Sequence, residues 1–362
     1  MKKVFSLSLA CLLALSLAAC GGSKPAPTTE APATEAPAAT EAPAAETEAP
    51  AEAETPKVEP ITLTMANVDT ETHPCSKMTV KFAELVNEYS GGAMEVEYYL
   101  AGILGEEEAT AEACLSGDLD ISNGNGGNLA SRVPALGVFS IPFLFDDLEV
   151  YRTMLTDERV FELFDAKFQE SGYKLLALWN DGCRHVYTKT KFLETADDLV
   201  GLKMRTMTSP LIVTAFETLG VKPTPINYAE VYTSLQQGVV DAAENNMNAL
   251  YDSKHYEVAP YITGTGHLRF PKPVFMNLDK WNSLSPEQQE IIMKAMAEVT
   301  AEEIDLFAEM EQTSLDAIIA DGGKYQDFPS EEKAKLKEKL APLYDTVKEE
   351  IDPEIVDLIT SY

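Results

Sequence analysis

A run of about 35 residues without proline or glycine constrains the fold of this chain more than any other feature. It follows Ser285 and Pro286, which suit a helix N-cap and a first helical residue, with Gln288 completing a capping box. It ends before Gly322. At a rise of about 1.5 Å per residue, the predicted helix is roughly 50 Å long. Such a helix is longer than one small domain, so we predict that it runs across two.

Strand and helix patterns alternate along the chain from Ile61 onward. Strands are predicted within 61–68, 94–100, 119–123, 173–179 and 202–206. Helices are predicted within 78–89, 104–117, 147–170, 210–219 and 229–237. Alternation at this spacing favours an α/β fold with largely parallel sheets. Because a domain takes roughly 150 residues, the 362 residues indicate about two α/β lobes, which share the long helix.

The first nineteen residues have the pattern of an export signal. Lys2 and Lys3 precede an apolar run that is somewhat short for a membrane span, which needs about 20 residues. The run ends in Leu-Ala-Ala-Cys, and this resembles a bacterial lipobox with Cys20 as the lipidated residue. We therefore expect residues 1–19 to be removed and Cys20 to carry a lipid anchor. A plain secretory signal with an incidental cysteine is the alternative.

Residues 20–60 have the composition of a disordered linker. Eight prolines and twelve alanines lie between 21 and 60, and no apolar residue there is larger than Val58, so the segment cannot bury a core. Extended polyproline conformations of ~3.1 Å per residue could hold a folded domain up to roughly 120 Å from a membrane. We predict a protein tethered to the outer face of the cytoplasmic membrane, at the cell surface or in the periplasm according to the host envelope.

Charge and cysteine content exclude several classes of partner. The chain has 28 basic and 59 acidic residues, a net charge of −31, and no basic patch that could neutralise phosphates. Nucleic-acid binding therefore lacks its usual electrostatic driving force, and binding to acidic lipid surfaces is disfavoured for the same reason. Cys75, Cys114 and Cys183 remain in the folded part, and their odd number and wide spacing indicate neither a disulfide framework nor a zinc site. We predict no metal and no cofactor.

The common catalytic motifs are also absent. The sequence contains no GxSxG, HExxH, GxGxxG or Walker loop. A stretch that begins at Asp118 starts like a calcium loop, but it has Asn123 and Leu129 where glycine and glutamate belong. The four histidines, at 73, 185, 255 and 267, are not paired at helical spacing. Catalysis by a histidine dyad is therefore not indicated.

Two arginines lie where an α/β sheet binds its ligands. Arg184 follows a predicted strand in WNDGCRHVYT, and Arg205 ends one in GLKMRTM. Ligands of open α/β sheets lie beyond the carboxyl ends of strands, and the arginine fork suits bidentate carboxylate recognition. The alternative is that both are surface arginines paired with the acidic excess.

The run from Asp197 to Asn246, DDLVGLKMRTMTSPLIVTAFETLGVKPTPINYAEVYTSLQQGVVDAAENN, closely resembles the signature region of substrate-binding proteins of tripartite ATP-independent periplasmic (TRAP) transporters. The resemblance extends over nearly all of 61–362. It implies a periplasmic-binding-protein-like receptor, not an enzyme, whose two lobes close over an organic anion and deliver it to a TRAP membrane permease. We expect lobe I over 61–181 plus about 271–311, lobe II over 182–270 plus about 312–362, and a monomer.

The same resemblance assigns candidate ligand-binding residues. Arg205 matches the arginine that pairs with the ligand carboxylate in most members, and Arg184 matches a second cleft arginine. Asn245 in DAAENN matches an asparagine that hydrogen-bonds the ligand, and Tyr228 falls where an aromatic residue often packs against it. The implied mechanism is hinge closure, with contacts to these residues favouring the closed state.

Departures from the family pattern limit the choice of ligand. Glu108 stands where sialic-acid binders carry arginine, and Asn125 stands where they carry glutamate, so sialic acid is disfavoured. Asn123 and Asn125 suit hydroxyl groups, which favours a sugar acid or hydroxy acid over a plain C4-dicarboxylate. The alternative is a glycine-rich turn with asparagines in left-handed conformations. His73 is a further candidate cleft donor by family position, or a plain loop histidine.

Two other functions remain as alternatives at this level. One is a surface enzyme acting on acidic sugars, with Asp181 and Glu244 as acid and base. The other is a ligand sensor that presents its closed form to a signalling partner.

Overall fold

A mixed sheet of nine strands organises residues 58–362, the part of the chain that the computed structural model describes. The strands are β1 (Ile61–Ala66), β2 (Met94–Tyr99), β3 (Ile121–Asn123), β4 (Tyr173–Thr188), β5 (Lys203–Thr206), β6 (Lys222–Pro225), β7 (Ala242–Asn245), β8 (Tyr261–Asn277) and β9 (Lys324–Asp327). The predicted signal 1–19, Cys20 and the linker as far as residue 57 lie outside the described residues.

Thirteen α-helices flank the sheet within this part of the chain. They are α1 (Pro74–Tyr89), α2 (Glu107–Ser116), α3 (Gly126–Leu129), α4 (Leu148–Thr156), α5 (Glu158–Glu170), α6 (Pro210–Thr218), α7 (Val231–Gln237), α8 (Met247–Asp252), α9 (His255–Val258), α10 (Leu278–Ser283), α11 (Pro286–Ala320), α12 (Ser330–Glu350) and α13 (Pro353–Thr360). None of the helices in residues 58–362 combines the length and the apolar character that crossing a membrane requires.

Two long strands, β4 and β8, connect the two ends of the sheet. The strand order is β2-β1-β3-β8-β4-β7-β5-β6, with β9 beside β8. The pairs β1/β2, β1/β3, β5/β6, β5/β7 and β8/β9 are parallel, whereas β3/β8, β4/β8 and β4/β7 are antiparallel. The α/β class is confirmed, and five of the eight pairings between the described strands are parallel. The sheet is nevertheless mixed, because β4 and β8 run antiparallel to each other and pair antiparallel with β7 and β3 respectively.

The register of β4 against β8 breaks between Asn180 and Cys183. Gly182 lies in this break with φ +72°, and a Cβ there would come within 2.5 Å of Phe307 Cε1, so only glycine fits. The backbone N–H of Asn180 donates to Glu303 Oε2 at 2.8 Å, and that of Cys183 donates to Glu311 Oε1 at 3.1 Å. The break is therefore held by two carboxylates of α11.

The predicted long helix is confirmed as the single helix α11. Its 35 residues begin after Ser285, whose side chain accepts a hydrogen bond from Gln288 N, and the capping box is present. Its buried side chains enter three separate apolar clusters, through Ile304, Phe307 and Ile318 respectively. Burying parts of one helix in three clusters ties distant parts of the sheet together. The lobe boundaries given above remain a prediction.

Candidate functional site

One cavity brings together all six ligand-binding residues that the sequence predicts. They are His73, Asn125, Arg184, Arg205, Tyr228 and Asn245. The cavity has about 410 Å³ of empty space, counted to its open mouth, and its lining is rich in charged and amide side chains. Their common position agrees with the prediction, while their roles in ligand binding stay predictions.

Arg205 presents the one guanidinium of this cavity whose terminal nitrogens have no partner within residues 58–362. It lies near the end of β5, only 3% exposed, and its Nε donates to the Ile226 carbonyl at 2.9 Å. Burial lowers the pKa of Arg205 and the Glu244 carboxylate opposes this, but a guanidinium remains protonated in proteins. Arg205 therefore offers two terminal amino groups to an incoming acceptor.

Most N–H groups of Arg184 donate to groups of the protein itself, so fewer are free for a ligand than its predicted role suggests. Its Nε and Nη2 donate to the two carboxylate oxygens of Glu244, Nη2 also donates to the Glu244 carbonyl at 2.9 Å, and Nη1 donates to Asn245 Oδ1 at 2.8 Å. Burial alone would raise the pKa of Glu244, but Arg184 and His267 hold it at about 2. One N–H of Arg184 is left for a ligand, so its main contribution is to hold Glu244 and Asn245 in place.

Asn245 keeps its amide nitrogen available. Its Oδ1 accepts hydrogen bonds from Arg184 Nη1 and from the backbone N–H of Asn246 at 2.9 Å, while Nδ2 donates to no group in the described part of the chain. Tyr228 is different, because its hydroxyl is bonded to Ser253 Oγ at 2.6 Å and its ring packs edge-on against His255. Asn245 can thus donate to a ligand, whereas Tyr228 supplies mainly a surface.

The side chain of Asn125, in the turn after β3, mainly stabilises the local fold. Asn125 caps α3 by accepting from Gly127 N at 2.8 Å, and its Nδ2 donates to Asp181. Its φ is −60°, and neither it nor Asn123 is left-handed, so the alternative of left-handed asparagines is wrong. Asn123 is buried, its side chain forms no hydrogen bond with any described residue, and it does not line the cavity.

His73 lies in the cavity wall and caps the helix that follows it. Its Nδ1 accepts from Cys75 N at 3.3 Å at the start of α1, and its ring packs edge-on against Phe307. Burial lowers the pKa of His73, although Asp69 opposes this, so the ring is neutral near pH 7. Because Nδ1 is an acceptor, the proton is on Nε2, which is the position for a donor to a ligand.

A buried lysine with two aspartates forms the part of the site that sequence reasoning missed. Lys272 Nζ forms an ion pair with Asp69, and Asp181 Oδ1 lies 3.8 Å away. Burial would lower the pKa of Lys272, but the two carboxylates raise it well above its ordinary value. The available signal was a lysine between Pro271 and Pro273 in the otherwise apolar stretch 270–276, since charged residues are rarely buried without partners.

The candidate catalytic carboxylates, Asp181 and Glu244, are each tied to a cation and to hydrogen-bond donors. They are therefore fixed acceptors and not a free acid and base. Asp69, His73 and Cys75 come close enough together to suggest a metal site. However, Asp69 already pairs with Lys272, and burial raises the pKa of the Cys75 thiol well above its ordinary value. A protonated thiol beside an ammonium group does not fit a cation.

Comparison with known proteins identifies one matching family. The model of the bacterial extracellular solute-binding proteins, family 7, matches residues 65–350. A solute-binding protein of Chromohalobacter salexigens is 34% identical over 297 residues, which cover 81% of this chain and 86% of that protein. The C4-dicarboxylate-binding periplasmic protein DctP of Rhodobacter capsulatus is 30% identical over 308 residues, which cover 82% and 90%.

Solved structures have the same fold. The sugar acid binding protein DctPAm of Advenella mimigardefordensis, in complex with galactonate, superposes with a TM-score of 0.80 at 28% identity, covering 84% of this chain and 98% of that chain. A TRAP periplasmic solute binding protein of Chromohalobacter salexigens with bound D-glucuronate gives a TM-score of 0.78 at 33% identity, covering 83% and 98%. The mixed sheet flanked by helices is thus shared with TRAP periplasmic solute binding proteins.

Proposed function

This chain belongs to the bacterial extracellular solute-binding proteins of family 7, and we propose that it binds a sugar acid with a single carboxylate in the cavity around Arg205. As a TRAP solute receptor it acts outside the cytoplasm, is not an enzyme, and passes its ligand to membrane permease subunits. The choice of a monocarboxylate follows from the distribution of charge in the cavity.

The carrying observation is that only one positive charge lining this cavity lacks a carboxylate partner among the described residues. Arg184 is neutralised by Glu244, and Lys272 by Asp69 with Asp181 nearby. Arg205 forms no ion pair within residues 58–362. A buried cation is stable when an anion with good hydrogen-bond geometry meets it, and the arginine fork matches a carboxylate. One free cation therefore corresponds to one ligand carboxylate.

The remaining polar groups suit hydroxyl groups better than a second carboxylate. Asp69, Glu107 and Asp181 line the same cavity, and a second carboxylate near them would meet like charges. Sugar hydroxyls can donate to these oxygens and accept from Asn245 Nδ2 and His73 Nε2. Relatives crystallised with galactonate and D-glucuronate support this assignment, whereas the C4-dicarboxylate-binding relative favours the other ligand class.

Isothermal titration calorimetry with a ligand panel tests the proposal. D-glucuronate, D-galacturonate and D-galactonate are titrated beside succinate and malate, with D-glucose as the control that lacks a carboxylate. We expect at least one sugar acid to bind ten-fold or more tightly than either dicarboxylate, a difference of about 1.4 kcal/mol or more. Tighter binding of succinate, or equal binding of D-glucose and D-glucuronate, would contradict the proposed charge matching.

We further propose that the mature protein is held at the membrane by lipid on Cys20, which lies outside the described residues. The lipobox-like sequence and the proline-rich tract behind it support this proposal. Cys20→Ser should move the protein from the membrane fraction to the soluble extracytoplasmic fraction. The matched control is Cys11→Ser within the signal, which should leave the protein membrane-bound. Equal membrane retention of both variants would exclude the anchor.

A further inference from the structure

One arginine outside the ligand cavity has no hydrogen-bond or ion-pair partner in the part of the chain that the structure describes. The chain has six arginines, all within the described residues. Five donate to a carboxylate or a carbonyl: Arg132, Arg152, Arg159, Arg184 and Arg205. Arg269 on β8 forms neither a hydrogen bond nor an ion pair within residues 58–362, and its Nε is sealed from solvent without an acceptor. Its guanidinium carbon lies 5.9 Å from the centre of the Tyr151 ring, a contact that holds the group without neutralising it.

Arg269 lies in an open groove that shares no lining residue with the ligand cavity. The groove also contains Lys333 and Lys337 from the start of α12, and Gly264 and Gly266 from β8. Lys333 forms no ion pair in the described part of the chain. A Cβ at Gly266 would lie 3.6 Å from Lys333 Nζ, so the glycine leaves space beside the ammonium group. Lys337 is paired with Asp146.

The positive charges of this groove affect the pKa of two of its lining residues, His185 and Cys183. Burial and the nearby positive charges of His267, Arg269 and Lys333 lower the pKa of His185 to about 3. Burial raises the pKa of the Cys183 thiol, and Arg269 and Lys333 oppose that rise. Residues 61–362 have a net charge of −27, and Asp146 and Asp327 also line the groove. Even so, Arg269 and Lys333 form no ion pair within residues 58–362, because Asp146 pairs with Lys337 and Asp327 accepts from the Tyr325 hydroxyl.

We propose that this groove is a second anion site, in which the guanidinium of Arg269 and the ammonium of Lys333 bind a carboxylate or another oxyanion. A half-buried guanidinium has lost part of its hydration, and an oxyanion restores its hydrogen bonds in the bidentate geometry that the fork favours. The anion has two possible sources: a free solute, or an acidic side chain of the permease that receives the ligand.

Inorganic phosphate is the probe for the site itself. Calorimetry is performed on the full chain, on Arg205→Ala and on Arg269→Gln, with Arg152→Gln as the matched control because Arg152 is an ion-paired arginine away from the groove. We expect phosphate binding in the full chain and in Arg205→Ala, and at least a ten-fold loss of phosphate affinity in Arg269→Gln but not in Arg152→Gln. Lys333→Gln removes the second cation of the groove and should also weaken phosphate binding. An unchanged midpoint of urea denaturation in each groove variant shows that it has folded.

Transport into vesicles that contain the permease subunits distinguishes the two sources. Loss of transport in Arg269→Gln, with ligand binding by the receptor intact, assigns the groove to a permease carboxylate. Loss of phosphate binding with normal transport assigns it to a free anion. If Arg269→Gln and Arg152→Gln agree in both phosphate affinity and transport, the groove is not an anion site. Because Arg205→Ala removes the cavity charge separately, failure of the cavity proposal leaves this test valid.

Discussion

Replacing Arg205 with alanine is expected to weaken sugar acid binding by about 2 to 5 kcal/mol, which corresponds to roughly 30-fold to several thousand-fold in Kd. The loss is large because Arg205 is 3% exposed and supplies the cavity cation that pairs with no carboxylate among residues 58–362. Without it, a ligand carboxylate would be buried in a cavity lined by acidic side chains, with no uncompensated positive charge from residues 58–362 to pair with it. Calorimetry with D-glucuronate measures the change directly.

Two further variants show whether the loss of ligand affinity comes from the charge of Arg205, from the planar shape of its guanidinium, or from a change in the overall charge of the protein. Arg205→Lys keeps a positive charge but loses the planar fork, so its affinity should fall between those of the wild type and the alanine variant. Arg152→Ala removes an ion-paired arginine elsewhere and should leave binding unchanged. If Arg205→Ala bound D-glucuronate as tightly as Arg152→Ala does, the assignment of Arg205 to the ligand carboxylate would be wrong.

Local patterns predicted the long helix α11 better than the long strand β4. The 35-residue helix was predictable because its signals are local: Ser285, Pro286 and Gln288 define its start, and the absence of proline and glycine defines its length. The helical stretch at 147–170 divides into α4 and α5, because Asp157 ends one helix and caps the next. Such boundaries follow from single capping residues.

The long strand β4 was predicted too short for a physical reason. The apolar run YKLLALW ends at Trp179, but β4 continues to Thr188 through Asn180, Asp181 and Arg184. These polar residues are buried because their partners come from distant positions, such as Glu303 on α11 and Glu244 on β7. Sequence patterns register the polarity of a residue, whereas only the tertiary fold supplies its partner.

The same limit applies to the candidate site. The family resemblance placed six residues that line one cavity, yet it could not tell that Arg184 is largely occupied by Glu244 or that Asn125 is a helix cap. Lys272 was missed altogether, because its role depends on Asp69, about 200 positions away. Which charge remains free for a ligand is decided by these internal pairs.

Replacing Lys272 with methionine is expected to lower the free energy of unfolding by about 3 to 5 kcal/mol near pH 7, because it leaves the buried carboxylates of Asp69 and Asp181 without their cation. Chemical denaturation in urea measures the change. Lys280→Met is the matched control: Lys280 also pairs with an aspartate, Asp120, but it is 30% exposed, so the expected loss is within about 1 kcal/mol.

The destabilisation of Lys272→Met should depend on pH in a defined direction. In the native protein burial would raise the pKa of Asp69, but His73 and Lys272 together hold it below its ordinary value. Asp69 therefore stabilises the fold above its unfolded pKa, and this stability is lost as the pH falls through the folded value. Removing Lys272 takes away one of the two groups that oppose burial, so the pKa of Asp69 should rise. The stability lost in the variant should therefore be greatest near pH 7 and should shrink relative to the wild type as the pH falls towards 4.

A second change tests whether the uncompensated charge is the cause. Adding Asp69→Asn to Lys272→Met removes the carboxylate together with its cation, and the double variant should regain a substantial part of the lost stability at pH 7. Equal losses in Lys272→Met at pH 7 and pH 4, with no recovery in the double variant, would show that Lys272 contributes through packing alone. Recovery in both experiments would establish that the ion pair between Lys272 and Asp69 is what permits acidic groups to face the ligand cavity.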